Sequence, residues 1–141
     1  MMVTRGTWRP VVNRGEWTGR RDAGRAHLKT ARNACEVADE SDDGRLIVQG
    51  AILAAIAYGD ALTIKVAGIR NEADHQRLPA TVRHALGNAA PAGELTRLTR
   101  LLARKDDSAY GHRFIPMRDA RDAIEKAAAF ASWAEGELAR A

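Results

Sequence analysis

The 141-residue chain has a single cysteine, Cys35, and only 5% of its residues are aromatic. One cysteine excludes an internal disulfide and any zinc site built from several cysteines. Hydrophobic content is nevertheless 45%, so the core must consist largely of Ala, Leu, Ile and Val. These residues favour closely packed helices over a strand-rich sandwich, and the length suits one domain.

Several motifs are also missing. The Glu-x-x-His pattern of di-iron helical bundles occurs once, at residues 72–75, without the second copy that such a site needs. The stretch GAILAAIAYG has neither the lysine nor the glycine spacing of a phosphate-binding loop. We therefore expect no metal and no cofactor. No export signal is evident, so we expect a cytoplasmic protein that does not enter a membrane.

The most hydrophobic stretch, residues 46–69, predicts a central helix. It is apolar on nearly every face, and its only charged residues are Asp60 and Lys65. A helix of this kind must be surrounded by protein, and its charge-free part is shorter than the roughly 20 residues that span a bilayer. Asp60 is interpreted as a core carboxylate paired with an Arg or Tyr of another helix, or as a ligand-facing carboxylate at a subunit seam.

Apolar residues at helical spacing predict four further helices, at about residues 21–38, 78–86, 94–103 and 117–138. The fold class is therefore all-α, an up-and-down bundle of four to five helices that occupies residues 21–141.

Residues 1–20 lack such a pattern and contain four glycine or proline breaks, so they predict an irregular arm. The arm belongs to a basic region, because residues 1–34 carry a net charge of +6. Such a region can contact phosphates or simply be solvated. For Trp8 and Trp17, packing on the bundle or on a second subunit is favoured over base stacking.

The segment Arg-Asn-Glu-Ala-Asp-His, residues 70–75, is the sharpest catalytic candidate. Histidine exchanges protons near neutral pH, and a guanidinium can hold a phosphate and stabilise the charge that develops on it. Arg70 and His75 could thus cleave RNA through its own 2′-hydroxyl without a metal. On a continuous helix the two side chains would diverge by roughly 140°. They converge only if the helix ends or bends, or if two subunits combine their copies; a polar surface linker is the other interpretation.

The connector before the last helix supplies a second set of polar residues. Helix capping by its charged residues is the favoured interpretation, and phosphate binding by Arg104, Tyr110 and His112 is the alternative.

The order of these features resembles the HEPN superfamily of small bacterial helical bundles over residues 24–138. The resemblance lies in a central helix ending in AYGDALTIKVAG, the segment RNEADH, the sequence LLARKDDSAYG and a last helix containing AAAFASWAEGEL. Many members have an Arg-x-x-Ala-Asp-Tyr segment before the final helix, and residues 104–110 resemble a looser version of it. The Arg-x(4 to 6)-His motif of the family matches Arg70 and His75, and Asn71 is its polar residue after the arginine.

The resemblance implies a homodimeric bundle with one of two activities. The first is metal-independent RNA cleavage of the toxin or defence type, with Arg70 and His75 catalytic and with Asn71, Arg104, Tyr110 and His112 binding substrate. The second is a non-catalytic nucleotide-binding or protein-interaction module, such as an antitoxin, whose partner protein is encoded nearby. A purely structural bundle whose arm grips a partner protein is a third hypothesis.

Overall fold

The computed structural model describes residues 8–72, 74–105 and 113–140. Within them the chain forms five α-helices and one two-stranded antiparallel sheet, which confirms the all-α bundle. The elements are β1 (Trp8–Pro10), α1 (Trp17–Val37), α2 (Arg45–Ala67), β2 (Ile69–Asn71), α3 (Leu78–Leu86), α4 (Ala92–Ala103) and α5 (Met117–Leu138), with short 3-10 turns at Arg14–Glu16, His75–Arg77 and Gly87–Ala89.

Helix α2 is the centre of the bundle, as its composition predicts. Every residue from position 54 to position 64 is buried, and α2 contacts α1, α3, α4 and α5. By length and composition α2 is apolar enough to cross a membrane, but 83% of its most hydrophobic window is buried inside the fold. The apolar surface of α2 is therefore used within the bundle.

Two glycines allow the neighbouring helices to approach α2 closely. A Cβ atom on Gly24 of α1 would lie 2.8 Å from the Tyr58 ring. A Cβ atom on Gly59 of α2 would lie 2.7 Å from the Leu78 side chain of α3. Neither distance leaves room for a larger residue, so glycine sets the separation of the helices at both crossings.

A polar network holds α1 and α5 against the middle of α2. The Arg25 guanidinium donates to both carboxylate oxygens of Glu135, at 2.6 Å and 2.7 Å. The Tyr58 hydroxyl donates to Glu135 Oε2 at 2.7 Å. Because Arg25 and Tyr58 both stabilise the carboxylate, the pKa of Glu135 lies below its ordinary value. The network thus supplies the hydrogen bonds that the buried tyrosine requires.

The N-terminal segment differs from the predicted irregular arm. Strand β1 pairs antiparallel with β2, with Arg9 opposite Arg70, and α1 begins at Trp17 rather than at residue 21. The Trp8 ring stacks on His84 at 5.1 Å, and Trp17 packs against the core. Both tryptophans therefore pack on the bundle, as predicted. The strand is not visible in the sequence pattern because its pairing depends on β2, which is about 60 residues away along the chain.

Candidate functional site

Arg70 and His75 lie just beyond the end of α2, so the continuous helix that would separate them is absent. Gly68 ends α2 in the left-handed conformation, with φ of 65°, and its N–H donates to the Ile64 carbonyl. Glycine adopts this conformation without the steric penalty of a side chain. The chain then continues extended through β2, which contains Arg70, and reaches the 3-10 turn that begins at His75.

Asp60 is the buried carboxylate of this region. The residue is 6% exposed, and its carboxylate accepts a hydrogen bond from Arg20 Nη2 at 3.3 Å. Burial raises the pKa of Asp60 above its ordinary value, and the positive charges of Arg20 and Arg70 partly offset that effect. The pairing with an arginine of another helix confirms the first interpretation of Asp60. The charge of Arg70, from β2, also acts on this carboxylate.

His75 is half-buried beside Lys105, the second residue after α4. Lys105 Nζ lies 2.9 Å from His75 Nδ1. A lysine ammonium can only donate, so Nδ1 is the acceptor and the neutral ring carries its proton on Nε2. Burial and the positive charges of Lys105 and Arg20 lower the pKa of His75, against the opposite effect of Asp74. The imidazole is therefore largely unprotonated at neutral pH.

These residues form one group of charges, the Arg70–His75 cluster, which consists of Arg20, Asp60, Arg70, His75 and Lys105. Arg20 is its common member, since it is bonded to Asp60 and affects the pKa of His75. Among the described residues, no hydrogen bond or ion pair joins Arg70 directly to His75. The cluster combines an unprotonated imidazole, on which the charges of Lys105 and Arg20 act, with a buried carboxylate, on which the charges of Arg20 and Arg70 act.

Asn71 and Asp74, which lie between Arg70 and His75 in the sequence, are held by hydrogen bonds to their neighbours. The Asn71 side chain accepts a hydrogen bond from the Thr81 hydroxyl at 3.0 Å and donates to the Asp74 carbonyl at 3.4 Å. The Asp74 carboxylate caps the following turn by accepting from the Gln76 N–H at 3.0 Å. Gln76 Nε2 donates to the Leu102 carbonyl at 2.6 Å. These bonds tie β2 and the turn to α3 and α4, so the positions of Arg70 and His75 are set by the bundle.

The structure does not bring Arg104 into this cluster. Arg104 donates to the Asp119 carbonyl at 3.4 Å and to Asp122 Oδ2 at 3.2 Å, and so faces α5. Tyr110 and His112, the other two predicted phosphate-binding residues, lie outside the described residues.

Two members of the cluster, Arg20 and Lys105, are not identified by the sequence alone. Arg20 is one of eight basic residues in the first 34, and nothing local distinguishes it from the others. Lys105 directly follows Arg104, a predicted site residue, but its contact with His75 spans 30 residues. In both cases the residue that makes the contact lies in another part of the fold, and a single sequence does not show which distant residues contact each other.

No family model matches the chain, and no curated protein matches it.

Proposed function

We propose that the chain is a metal-independent ribonuclease that cleaves RNA at the Arg70–His75 cluster. The observation that supports the proposal most strongly is the contact of Lys105 Nζ with His75 Nδ1 at 2.9 Å, at a half-buried position where burial, Lys105 and Arg20 lower the pKa of the imidazole. An unprotonated imidazole can accept a proton at neutral pH, and cations next to it favour a bound phosphodiester. The resemblance to the HEPN superfamily leads to the same two residues.

The proposed reaction uses only groups of this cluster, the RNA itself and water. A backbone phosphate binds between Arg70 and Arg20, and the Lys105 ammonium moves from His75 Nδ1 to a phosphate oxygen. Nδ1 then takes the proton of the RNA 2′-hydroxyl, and the 2′-oxygen attacks phosphorus. The bond from phosphorus to the 5′-oxygen breaks, and that oxygen takes a proton from a water molecule. The hydroxide that remains takes the proton from Nδ1, which restores water and the neutral imidazole. The products are a 2′,3′-cyclic phosphate and a 5′-hydroxyl.

The first test is RNA cleavage by the purified chain in the presence of a chelator. We expect the wild-type chain to cleave single-stranded RNA, and Arg70→Ala and His75→Ala each to lower the rate by about 100-fold or more, the usual range for a positioned acid or base. Arg100→Ala, an exposed arginine of α4, and His27→Gln, a histidine of α1, are the matched controls and should retain the wild-type rate.

The pH dependence gives a second readout. Because His75 must be unprotonated, the rate should rise with pH through the lowered pKa of His75 and level off above it. Absence of cleavage by the wild-type chain would contradict the proposal. RNA or nucleotide binding without cleavage would favour the non-catalytic module instead.

A further inference from the structure

A second cationic site lies at the other side of the α4 end. It is a cavity of about 370 Å³ between the end of α4, residues 113–116 and the first turn of α5. Its lining includes three arginines, one aromatic ring and one carboxylate: Arg104, Arg113, Arg118, Phe114 and Asp119. The volume falls within the ~300–1,000 Å³ typical of small-ligand sites.

The charge of this lining favours an anion. Arg118 is 84% exposed and only loosely paired with Asp119, at 3.9 Å. Arg113 is exposed, and no ion pair to its side chain occurs among the described residues. Arg104 is bonded to Asp122, but Lys126 binds the same carboxylate oxygen at 2.6 Å, so two cations share that charge. Guanidinium groups match the geometry of phosphate oxygens better than other cations do.

The backbone that presents these side chains is held in place by the loop before α2. Gly44 N–H donates to the Ile115 carbonyl at 2.7 Å, and Ile115 N–H donates to Asp43 Oδ1 at 3.2 Å. Arg45 Nη2 donates to the Arg113 carbonyl at 3.1 Å. Phe114 projects from this fixed segment with 56% of its surface exposed. An exposed aromatic ring beside arginines is the usual platform for a nucleic-acid base.

Two consecutive residues after α4 connect the cavity to the Arg70–His75 cluster along the chain. Lys105 contacts His75, whereas Arg104 lines the cavity. Because Lys105 and Arg104 are consecutive, one flexible single strand can contact both places. We infer that the cavity holds a backbone phosphate of single-stranded RNA and that Phe114 stacks on an adjacent base. This inference rests on the proposed function, because it defines how the same substrate binds.

The test measures binding of an RNA that is resistant to cleavage. The probe is a fluorescein-labelled single strand of about 12 nucleotides whose 2′-hydroxyls are methylated, and binding is followed by anisotropy at about 0.1 M salt. We expect the double variant R113A/R118A to bind about tenfold more weakly. Its salt slope should also fall by about 0.7 for each phosphate that the variant no longer binds. Phe114→Leu keeps the apolar surface but removes the ring, and should weaken binding about fivefold.

The matched control is K29A/R83A, which removes the same charge from exposed positions on α1 and α3. It should bind within about twofold of the wild type, since neither residue lines the cavity or belongs to the Arg70–His75 cluster. The inference is overturned if R113A/R118A binds no more weakly than this control, or if the wild-type chain does not bind the probe. Displacement of the probe by AMP at equal phosphate concentration would assign the cavity to a free nucleotide, and this result would also overturn the inference.

Cleavage of an unmodified RNA separates this inference from the proposed function. If both hold, R113A/R118A should raise the RNA concentration needed for half-maximal cleavage and leave the maximal rate unchanged, because the phosphate it releases is not the one attacked. If the chain binds the methylated probe with the expected variant effects but does not cleave RNA, the ribonuclease proposal fails and the phosphate site stands.

Discussion

At the residue scale, the contact between Lys105 and His75 determines which nitrogen of the neutral imidazole carries the proton. The lysine donates to Nδ1 at 2.9 Å, and its charge acts together with burial to lower the pKa of His75. The same contact also occupies the nitrogen that would act as a base. A ligand phosphate that attracts the lysine would therefore both free Nδ1 and raise the basicity of the ring.

This coupling can be tested without any assay of function. Lys105→Met keeps much of the side-chain length but removes the charge, so the pKa of His75 should rise towards its ordinary value. The pKa is measured by NMR titration of the His75 ring protons. His27 and His84 report on the same sample and should titrate as in the wild-type chain. An unchanged His75 titration would show that Lys105 does not control the ring.

The glycines of the helices give a second prediction at this scale. Gly59→Ala should lower the free energy of unfolding by about 1–3 kcal/mol, because the new methyl group would overlap the Leu78 side chain. Gly136→Ala on α5 should instead raise it by about 0.5–1 kcal/mol, since no atom lies within 4 Å and alanine favours the helix. Urea denaturation of both variants measures the two changes, and equal effects would contradict the packing argument.

At the element scale, the helices follow from local pattern, whereas the sheet and the charge clusters do not. The α5 bounds, Met117–Leu138, agree with the prediction because Pro116 precedes the helix and apolar residues repeat through it. Gly68 and Gly87 end α2 and α3 with positive φ, a conformation that glycine adopts readily. Strand β1 has only three residues and gains its conformation from β2. Likewise, residues 70–75 are visible as a motif, but the other cations of the cluster come from distant elements.

Strand β1 is expected to hold β2, and with it the Arg70 backbone, in place. A variant that lacks residues 1–10 would lose the strand pairing and the contact between Trp8 and His84. We expect amide hydrogen exchange in a peptide covering residues 66–72 to be faster by about tenfold or more, because unpaired edge amides open at little free-energy cost. Peptides of α5 are the internal control. If residues 66–72 of the variant exchange at the same rate as in the wild-type chain, α2 and α3 alone hold β2 in place.

At the scale of the whole molecule, the charge is distributed unevenly over the bundle. Residues 1–34 have a net charge of +6, against −2 for the rest. In the fold, Arg20 from this basic region joins the Arg70–His75 cluster, while the cavity beside α5 draws its arginines from residues 104–118. Cations from the N-terminal region and from the segment around the start of α5 therefore lie in two sites that the consecutive residues Arg104 and Lys105 connect. A polyanion that contacts both sites would be attracted by the charges of both.

Asp60 and His75 should change the stability of the fold in opposite directions as the pH rises. The pKa of Asp60 is raised above 3.8, so the folded state binds more protons above that pH and stability falls as pH rises through the raised pKa. The pKa of His75 is lowered below 6.5, so the unfolded state binds more protons just below 6.5 and stability rises with pH there. Arg20 is partly exposed, so water can solvate it when Asp60 is neutral.

Urea denaturation from about pH 3.5 to about pH 7.5 separates the two groups. The unfolding free energy of Asp60→Asn minus that of the wild-type chain should increase as pH rises. The wild-type chain loses stability when the buried charge forms on Asp60, and the variant lacks that charge. The unfolding free energy of His75→Gln minus that of the wild-type chain should increase as pH falls below 6.5. The wild-type chain is destabilised there because His75 takes up a proton on unfolding, and glutamine takes up none. Asp39→Asn, at an exposed position after α1, is the control. Parallel pH profiles for all the variants would mean that neither the burial of Asp60 nor the cations around His75 perturbs these groups in solution, and the electrostatic basis of the cluster would fail with them.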